Sequence, residues 1–271
     1  MRRSNYYSSF MTEGSLILWV TDHPITHDSS LITHYSSPIT HHLVCMNEQL
    51  RTEFNEWARA GKGESMERGH RPVGEQAIAR MRVEPNSRVL DVGCGSGWAT
   101  RLMADYAFNG RVSGIDVSDE MVQLARESSK DHGNVDFEVA SAEQLPFETN
   151  EFTHAFSMES LYYYRNIPKA LAEIQRVLKP GGLFAAVVDL YWENEPTHQW
   201  IATLKVPVEL LSIEDYRSLF IDAGFENIHD ERVLDPRPVP GDYTSGSFKS
   251  REDYVRYREE GSLMISGEAK K

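Results

Sequence analysis

Residues 89–97 read VLDVGCGSG, an apolar run that meets an acidic residue and then three glycines at alternate positions. Val89 to Val92 have the β-branched, apolar character of a buried parallel strand, and the glycines end it. Gly93, Gly95 and Gly97 lack a Cβ, so the chain can turn sharply and lay its backbone against a ligand. Trp98 to Ala107 continue as a helix whose free N-terminal amides face the same crevice. This order makes a nucleotide-type site in an α/β sheet. The dinucleotide fingerprint is GxGxxG, whereas here the spacing is GxGxG with Asp91 two residues ahead. A carboxylate at that point repels a pyrophosphate and favours an ammonium or sulfonium group. A nicotinamide dehydrogenase, or a glycine-rich turn in some other α/β protein, remains the alternative.

The next strand, Arg111 to Val117, carries Asp116 about 20 residues beyond the glycine turn, where ribose-binding sites place an acidic residue. One carboxylate accepts hydrogen bonds from two ribose hydroxyls. The competing role for such an Asp is a helix cap, but Ser118 is better placed for that, ahead of Asp119 and Glu120.

Four segments in order, VLDVGCGSGWAT, VSGIDVSDEMVQLAR, ASAEQLPFETNEFTHAFSMESLYYY and ALAEIQRVLKPGGLF, resemble successive motifs of class I S-adenosylmethionine (SAM) dependent methyltransferases. The likeness is to the small-molecule branch that includes the ubiquinone and menaquinone C-methyltransferases. It covers residues 85–190 strongly, and 46–84 and 191–271 more loosely. It implies an α/β, Rossmann-like fold: a seven-stranded, mostly parallel sheet with an antiparallel strand at the edge and helices on both faces. It also implies the donor SAM, with S-adenosylhomocysteine (SAH) as product. In that frame Gly93, Gly95 and Gly97, with Cys94 filling the turn, approach the methionine and ribose portions, and Asp91 helps position the amino group. Asp116 holds the ribose hydroxyls, and Val117 and Met121 pack near the adenine. Ser141, Ala142 and Glu143 meet the adenine edge; many relatives have Asp at the Ser141 position, so the partner here is uncharged. Ser157 and Met158 contribute backbone contacts to the methionine moiety.

The acceptor pocket is expected above the strand ends, where Tyr162, Tyr163, Tyr164, Tyr191 and Trp192 could hold a flat or apolar acceptor and attract a sulfonium. Packing is their competing role. His70 and Arg71, in a stretch (61–74) that reads as a flexible entrance, could reach the methionine carboxylate or the acceptor. Glu159, Tyr162, Tyr163, His70 and His154 are possible bases or orienters; none stands out, and no catalytic residue is assigned. Transfer from a sulfonium needs mainly alignment and exclusion of water. The alternative to an enzyme is a non-catalytic SAM-binding regulator or assembly protein.

A formal net charge of −13 argues against a nucleic-acid substrate, whose phosphates need a basic surface. Cys45 and Cys94, the only cysteines, give neither a disulfide framework nor a metal site, which fits a cytoplasmic setting. No run approaches the roughly 20 apolar residues of a membrane span. No metal ligand set is evident, and the oligomeric state is not legible.

Residues 1–45 differ in character. Ile-Thr-His recurs at 25–27, 32–34 and 39–41, a period of seven residues that a translated DNA repeat produces. The expectation is disorder, with Pro24 and Pro38 opposing a helix, and a biological start at Met46. A histidine-rich metal tract is the competing reading.

The remaining elements follow from periodicity and punctuation. Leu50, Phe54, Trp57 and Ala58 make a helical apolar stripe, a lid or packing helix. A helix is expected over 72–81, and strands over 134–140, 152–158 and 183–190. The helix bearing Ile167, Leu171, Ile174 and Leu178 should stop at Pro180-Gly181-Gly182. Ser212 and Asp215 suggest a capping box, and residues 191–211 a small cap that sets substrate choice; the family resemblance implies that residues 225–234 and 262–269 form an antiparallel hairpin pair on the sheet's edge.

Overall fold

The computed structural model of the protein describes residues 38–242 and 246–270. The first two Ile-Thr-His repeats, and the expectation of disorder for 1–37, lie outside them. The strands are β1 (Arg88–Val92), β2 (Arg111–Asp116), β3 (Val135–Val139), β4 (Phe152–Met158), β5 (Leu178–Val188), β6 (Phe225–Val233) and β7 (Ser262–Ala269). They form one sheet in the order β3-β2-β1-β4-β5-β7-β6. Strands β1 to β5 pair in parallel, while β7 runs antiparallel between β5 and β6. The chain order reverses at β1, whose neighbours are β2 and β4, and such a switch point opens a crevice at the carboxyl ends of the strands.

The helices are α1 (Pro38–Arg59), α2 (Lys62–Met81), α3 (Trp98–Tyr106), α4 (Asp119–Ser128), α5 (Ile167–Val177), α6 (Ile213–Asp222) and α7 (Arg251–Glu260). Alternation along the strands supplies two cores. Val89, Val112, Phe156, Ala185 and Val187 meet α2 and α3 on one face. Leu90, Val92, Ala155, Phe184 and Ala186 meet α5 and α6 on the other. The caps are those the side chains favour. Ser118 accepts from Met121 N, Asn166 accepts from Lys169 N, and Ser212 and Asp215 form a reciprocal capping box.

Four readings depart from expectation. Helix α1 begins at Pro38, at the first helical position, where a missing N–H costs nothing, so Pro38 opens the helix rather than opposing it. The stretch 61–74 is not a flexible entrance. After Gly61 in the left-handed region, α2 runs through Pro72 without interruption. Pro72 has no N–H for the Arg68 carbonyl, and the Arg237 guanidinium fills that place, donating to the carbonyls of Arg68 (3.0 Å) and Gly69 (3.1 Å). The Lys179–Gly182 segment does not simply end a helix. It is a bulge inside β5, whose register passes from Phe152↔Leu178 to His154↔Leu183. The antiparallel pair β6/β7 forms, but α7 joins its strands rather than a tight turn.

Candidate active site

The glycine turn is built by two constraints. Gly93 and Cys94 both donate their N–H to the Ile115 carbonyl at 2.8 Å, which binds the turn to β2. Gly93, Gly95 and Gly97 all adopt positive φ (80°, 51° and 76°). A Cβ at Gly93 would lie 2.5 Å from Ser160, whereas one at Gly95 would meet open space. At Gly97 it would strike the Phe137 ring at 2.8 Å, so Gly97 serves helix–sheet contact and does not line the cleft.

The cleft beside this turn contains about 930 Å³ of space free of protein atoms, part of it open to solvent. It gathers Gly93, Cys94, Gly95, Asp116, Val117, Met121, Ser141, Ala142, Glu143 and Met158 from the ends of β1, β2, β3 and β4. Asp116 is fixed by two backbone donors, Gly95 N at 3.0 Å on one oxygen and Ser118 N at 2.9 Å on the other. Burial outweighs these bonds and raises the carboxyl pKa above its ordinary value. Glu143 accepts from Asn166 N at 2.9 Å, tying the loop after β3 to the start of α5. Burial, with Asp116 and Asp91 adding repulsion, pushes the Cys94 thiol far up, so it sits in the turn as a small neutral side chain.

Besides Gly97, two expected donor-site residues lie behind the wall rather than in it. Asp91 is 1% exposed and accepts from the Thr100 hydroxyl at 2.6 Å. Burial, then the neighbouring Asp116, pushes its pKa up to about 7. Ser157 is fully buried and joins a hydroxyl cluster: its Oγ lies 2.7 Å from Ser160 Oγ, which donates to the Val92 carbonyl at 2.9 Å. Tyr164 donates to that carbonyl too, at 3.2 Å, so the three hydroxyls clamp β4 to the end of β1.

A second, wider chamber, with about 1940 Å³ free of protein atoms and also open to solvent, shares Met66, His70, Glu159 and Tyr163 with the cleft. Trp57, Tyr162, Trp200 and Phe248 give it aromatic walls, and Gln199, Thr203, Leu204 and Lys205 bring the segment 191–211 over it. A 3₁₀ turn, Glu195–Thr203, shapes that segment. A ring nitrogen of His70 and carboxylate oxygens of Glu159 and Asp189 lie within 4.8 Å of one another; His70 and Glu159 line both cavities, whereas Asp189, 3% exposed, lines neither.

Several acceptor candidates are placed elsewhere. Tyr191 is fully buried with its hydroxyl donating to the Gly261 carbonyl at 3.0 Å; it is a core residue. Trp192 is 61% exposed and lines neither cavity. Arg71 turns to Glu67 and Glu75 on its own helix and to the Trp98 ring, because i,i+4 partners lie nearer than the cleft. His154 is partly buried in β4, beside Thr153 Oγ1 at 2.9 Å. Sequence reasoning missed Ser160, Met66, Gly63, Trp98 and Asp189. Of these only Asp189 carried a signal: an acidic residue at the end of a buried strand, the place already occupied by Asp116.

Residues 90–186 match the methyltransferase domain family model described as Methyltransf_11. Cycloartenol-C-24-methyltransferase 1 of Oryza sativa subsp. japonica is 32% identical over 216 residues, covering 70% of this chain and 61% of the relative. Demethylmenaquinone methyltransferase of Staphylococcus saprophyticus is 29% identical over 190 residues, 59% of this chain and 78% of that one. A methyltransferase solved in complex with the Haloferax volcanii Trm112 methyltransferase activator is 36% identical, with a TM-score of 0.76 over 81% of this chain and 98% of that chain. The chain belongs to the class I SAM-dependent methyltransferases. Against the first relatives it spans between about half and three-fifths of their length.

The walls of the cleft fit SAM. The acidic Asp116 faces the cleft, Gly95 leaves room where a Cβ would stand, and Val117, Met121 and Ala142 offer an apolar slot beside it.

Proposed function

We propose that this protein transfers a methyl group from SAM to a small-molecule acceptor held in the second chamber. The observation that carries the reading is the junction of the two cavities: Met66, His70, Glu159 and Tyr163 wall both, so a molecule in the chamber abuts the donor cleft. SAM supplies a methyl group on a positively charged sulfur, and transfer leaves a neutral thioether. Asp116 would accept from the ribose hydroxyls, with Val117 and Met121 against the adenine and Ser141, Ala142 and Glu143 along its edge. Gly93, Cys94, Gly95 and Met158 would face the methionine and ribose portions. Asp91, Gly97 and Ser157 would act from behind, by holding the turn in shape. Tyr162, Tyr163 and the segment 191–211 orient the acceptor and keep water out, which is the greater part of what this chemistry asks of a protein.

The test is methyl transfer from radiolabelled SAM to a panel of small phenols, amines, thiols, carboxylates and quinols. Label in any low-molecular-weight product supports the reading; none from any class, with SAH bound, overturns it. The likeness to a methyltransferase solved with an activator favours a second reading, in which the chain binds SAM within an assembly and turns over only there. Adding a Trm112-type protein to the same assay separates the two. A cytoplasmic setting belongs to this proposal. It is supported by the sparse cysteines, and among the described residues no helix is long and apolar enough to cross a membrane.

A further inference from the structure

Of the four residues that wall both cavities, Met66, His70, Glu159 and Tyr163, only His70 is placed to take a proton. Met66 has no site for one. Burial pushes the Tyr163 hydroxyl well up, so it stays a neutral phenol and a poor base. Glu159 has both oxygens engaged: one accepts from Tyr162 OH at 2.7 Å, the other from Asp189 N. Burial and Asp189 also raise its carboxyl well above the ordinary range, toward the neutral acid. His70 differs on both counts. Carboxylate oxygens of Glu159 and Asp189 lie within 4.8 Å of a ring nitrogen, yet among the described residues the ring makes no hydrogen bond. Burial lowers its pKa, against the pull of Asp189 and with the help of Arg237, so the imidazole is neutral and offers a lone pair. Its place is fixed from behind. The Arg237 guanidinium donates to the carbonyls of Arg68 and Gly69, the two residues before it, and is itself anchored on Asp235 at 2.6 Å. A base weakened in this way helps to remove only a fairly acidic proton: a phenol, at a pKa of about 10, is within its reach, and an aliphatic alcohol is not. The chamber's walls select a flat ring. Tyr162 and Tyr163 lie 4.6 Å apart, Trp200 and Phe248 5.3 Å, and Trp57 stands between α1 and the opening.

We propose that the acceptor is a phenol, stacked on the aromatic walls of the second chamber, whose hydroxyl proton His70 removes as the methyl group moves to its oxygen. The assignment rests on the methyl-transfer reading above and deepens it to O-methylation with a named base. The hydroxyl proton passes to the unbonded ring nitrogen of His70. An oxygen electron pair forms the new O–C bond as the S–C bond breaks, and that bond's pair stays on sulfur. Positive charge thus moves from sulfur to the imidazolium, and the net charge beside the reacting atoms does not change. Three elements bring charged or titratable groups to the ring: Glu159 after β4, Asp189 after β5 and Arg237 beyond β6. Of these Asp189 favours the imidazolium once it forms, and Arg237 drives the proton off again into the chamber, which is open to solvent.

The experiment uses the full chain with SAM and three phenols, 2-naphthol, 4-methylphenol and 4-nitrophenol, beside benzylamine, thiophenol, benzoate and benzyl alcohol. The native protein is expected to form aryl methyl ethers. His70→Gln should lower kcat for 2-naphthol and 4-methylphenol by about a hundred- to a thousandfold, with KM and SAH affinity little changed. The third phenol, 4-nitrophenol, is largely ionised by itself near neutral pH and brings no proton to remove, so it should lose less than about tenfold. Imidazole added to His70→Ala should restore part of the rate with the two un-ionised phenols. A merely structural role for His70 would slow all three phenols alike and show no rescue. Circular dichroism and SAH affinity on the same samples separate a lost base from a lost fold, and where one variant fails to fold the other decides. Methylation of the amine, thiol or carboxylate but of no phenol, a methyl group on a ring carbon, or an equal loss for all three phenols overturns the assignment. Calorimetry keeps it apart from the transfer reading. With and without SAH, 2-naphthol should bind about three- to tenfold tighter than 2-methylnaphthalene, and His70→Ala should remove that preference. Where the preference holds and no acceptor is methylated, the transfer reading falls and the phenol site stands; where the native chain lacks it, the phenol site falls whatever is methylated.

Discussion

At Asp91 a single side chain ties the glycine turn to pH. Its carboxyl is buried, accepts from the Thr100 hydroxyl, and is pushed by burial up to about 7 in the folded chain. The folded state therefore holds a proton that the unfolded state has released between about pH 4 and pH 7, and the stability from this group falls as pH rises through that window. Some three units at about 1.4 kcal/mol each set an upper bound of ~4 kcal/mol. Asp91→Asn imitates the protonated form and still accepts from Thr100. Urea unfolding should show the variant gaining on the native chain from pH 4 to pH 7; a constant difference across that range would mean that Asp91 is ionised throughout. Gly97 makes a second residue-scale case. With φ at 76° and the Phe137 ring 2.8 Å from where a Cβ would stand, Gly97→Ala combines backbone strain with overpacking. A loss of about 2–4 kcal/mol is expected in the same measurement, and a loss below ~1 kcal/mol would show that α3 moves aside freely. The glycines are legible in the sequence as a turn. Which of them faces the ligand is not, because that depends on Ser160 and Phe137, tens of residues away.

Among the elements, α2 shows a sequence signal overruled by a distant partner. Proline inside a helix ordinarily ends or kinks it, and local chemistry alone reads Pro72 as a helix start. Arg237, arriving from beyond β6, supplies the hydrogen bond that Pro72 removes. Arg237→Ala should cost about 1–2 kcal/mol, and less in a Pro72→Ala background, where Arg68 recovers its own helical donor. A double-mutant cycle with no coupling would contradict this. The same anchor sets His70, two residues on from Arg68, at the mouth shared by the two cavities. The bulge in β5 is hidden for a similar reason: Lys-Pro-Gly-Gly reads as a stop, and only the register against β4 shows the strand resuming.

At the scale of the whole molecule, the parallel sheet and its switch point at β1 are legible because β1, β2, β4 and β5 each close on a glycine or an acidic residue at the carboxyl end. The cofactor wall from β1 and β2 is legible for the same reason, and that from β3 only through the family resemblance of the residues that follow it. The acceptor side is not. Its walls come from α1, α2, the segment 191–211 and residues 246–249, which share no periodic signal. Tyr191 and Trp192 illustrate the limit: adjacent to the right strand, one turns into the core and the other into solvent. The central claim is that the glycine turn and Asp116 form a SAM site, and calorimetric binding of SAH to the native chain and to Asp116→Ala tests it most directly. Two hydrogen bonds to a charged group are lost in the variant, so SAH affinity should fall by about a hundredfold or more while circular dichroism stays unchanged. Absence of SAH binding to the folded native chain, or equal affinity in the variant, would contradict the account.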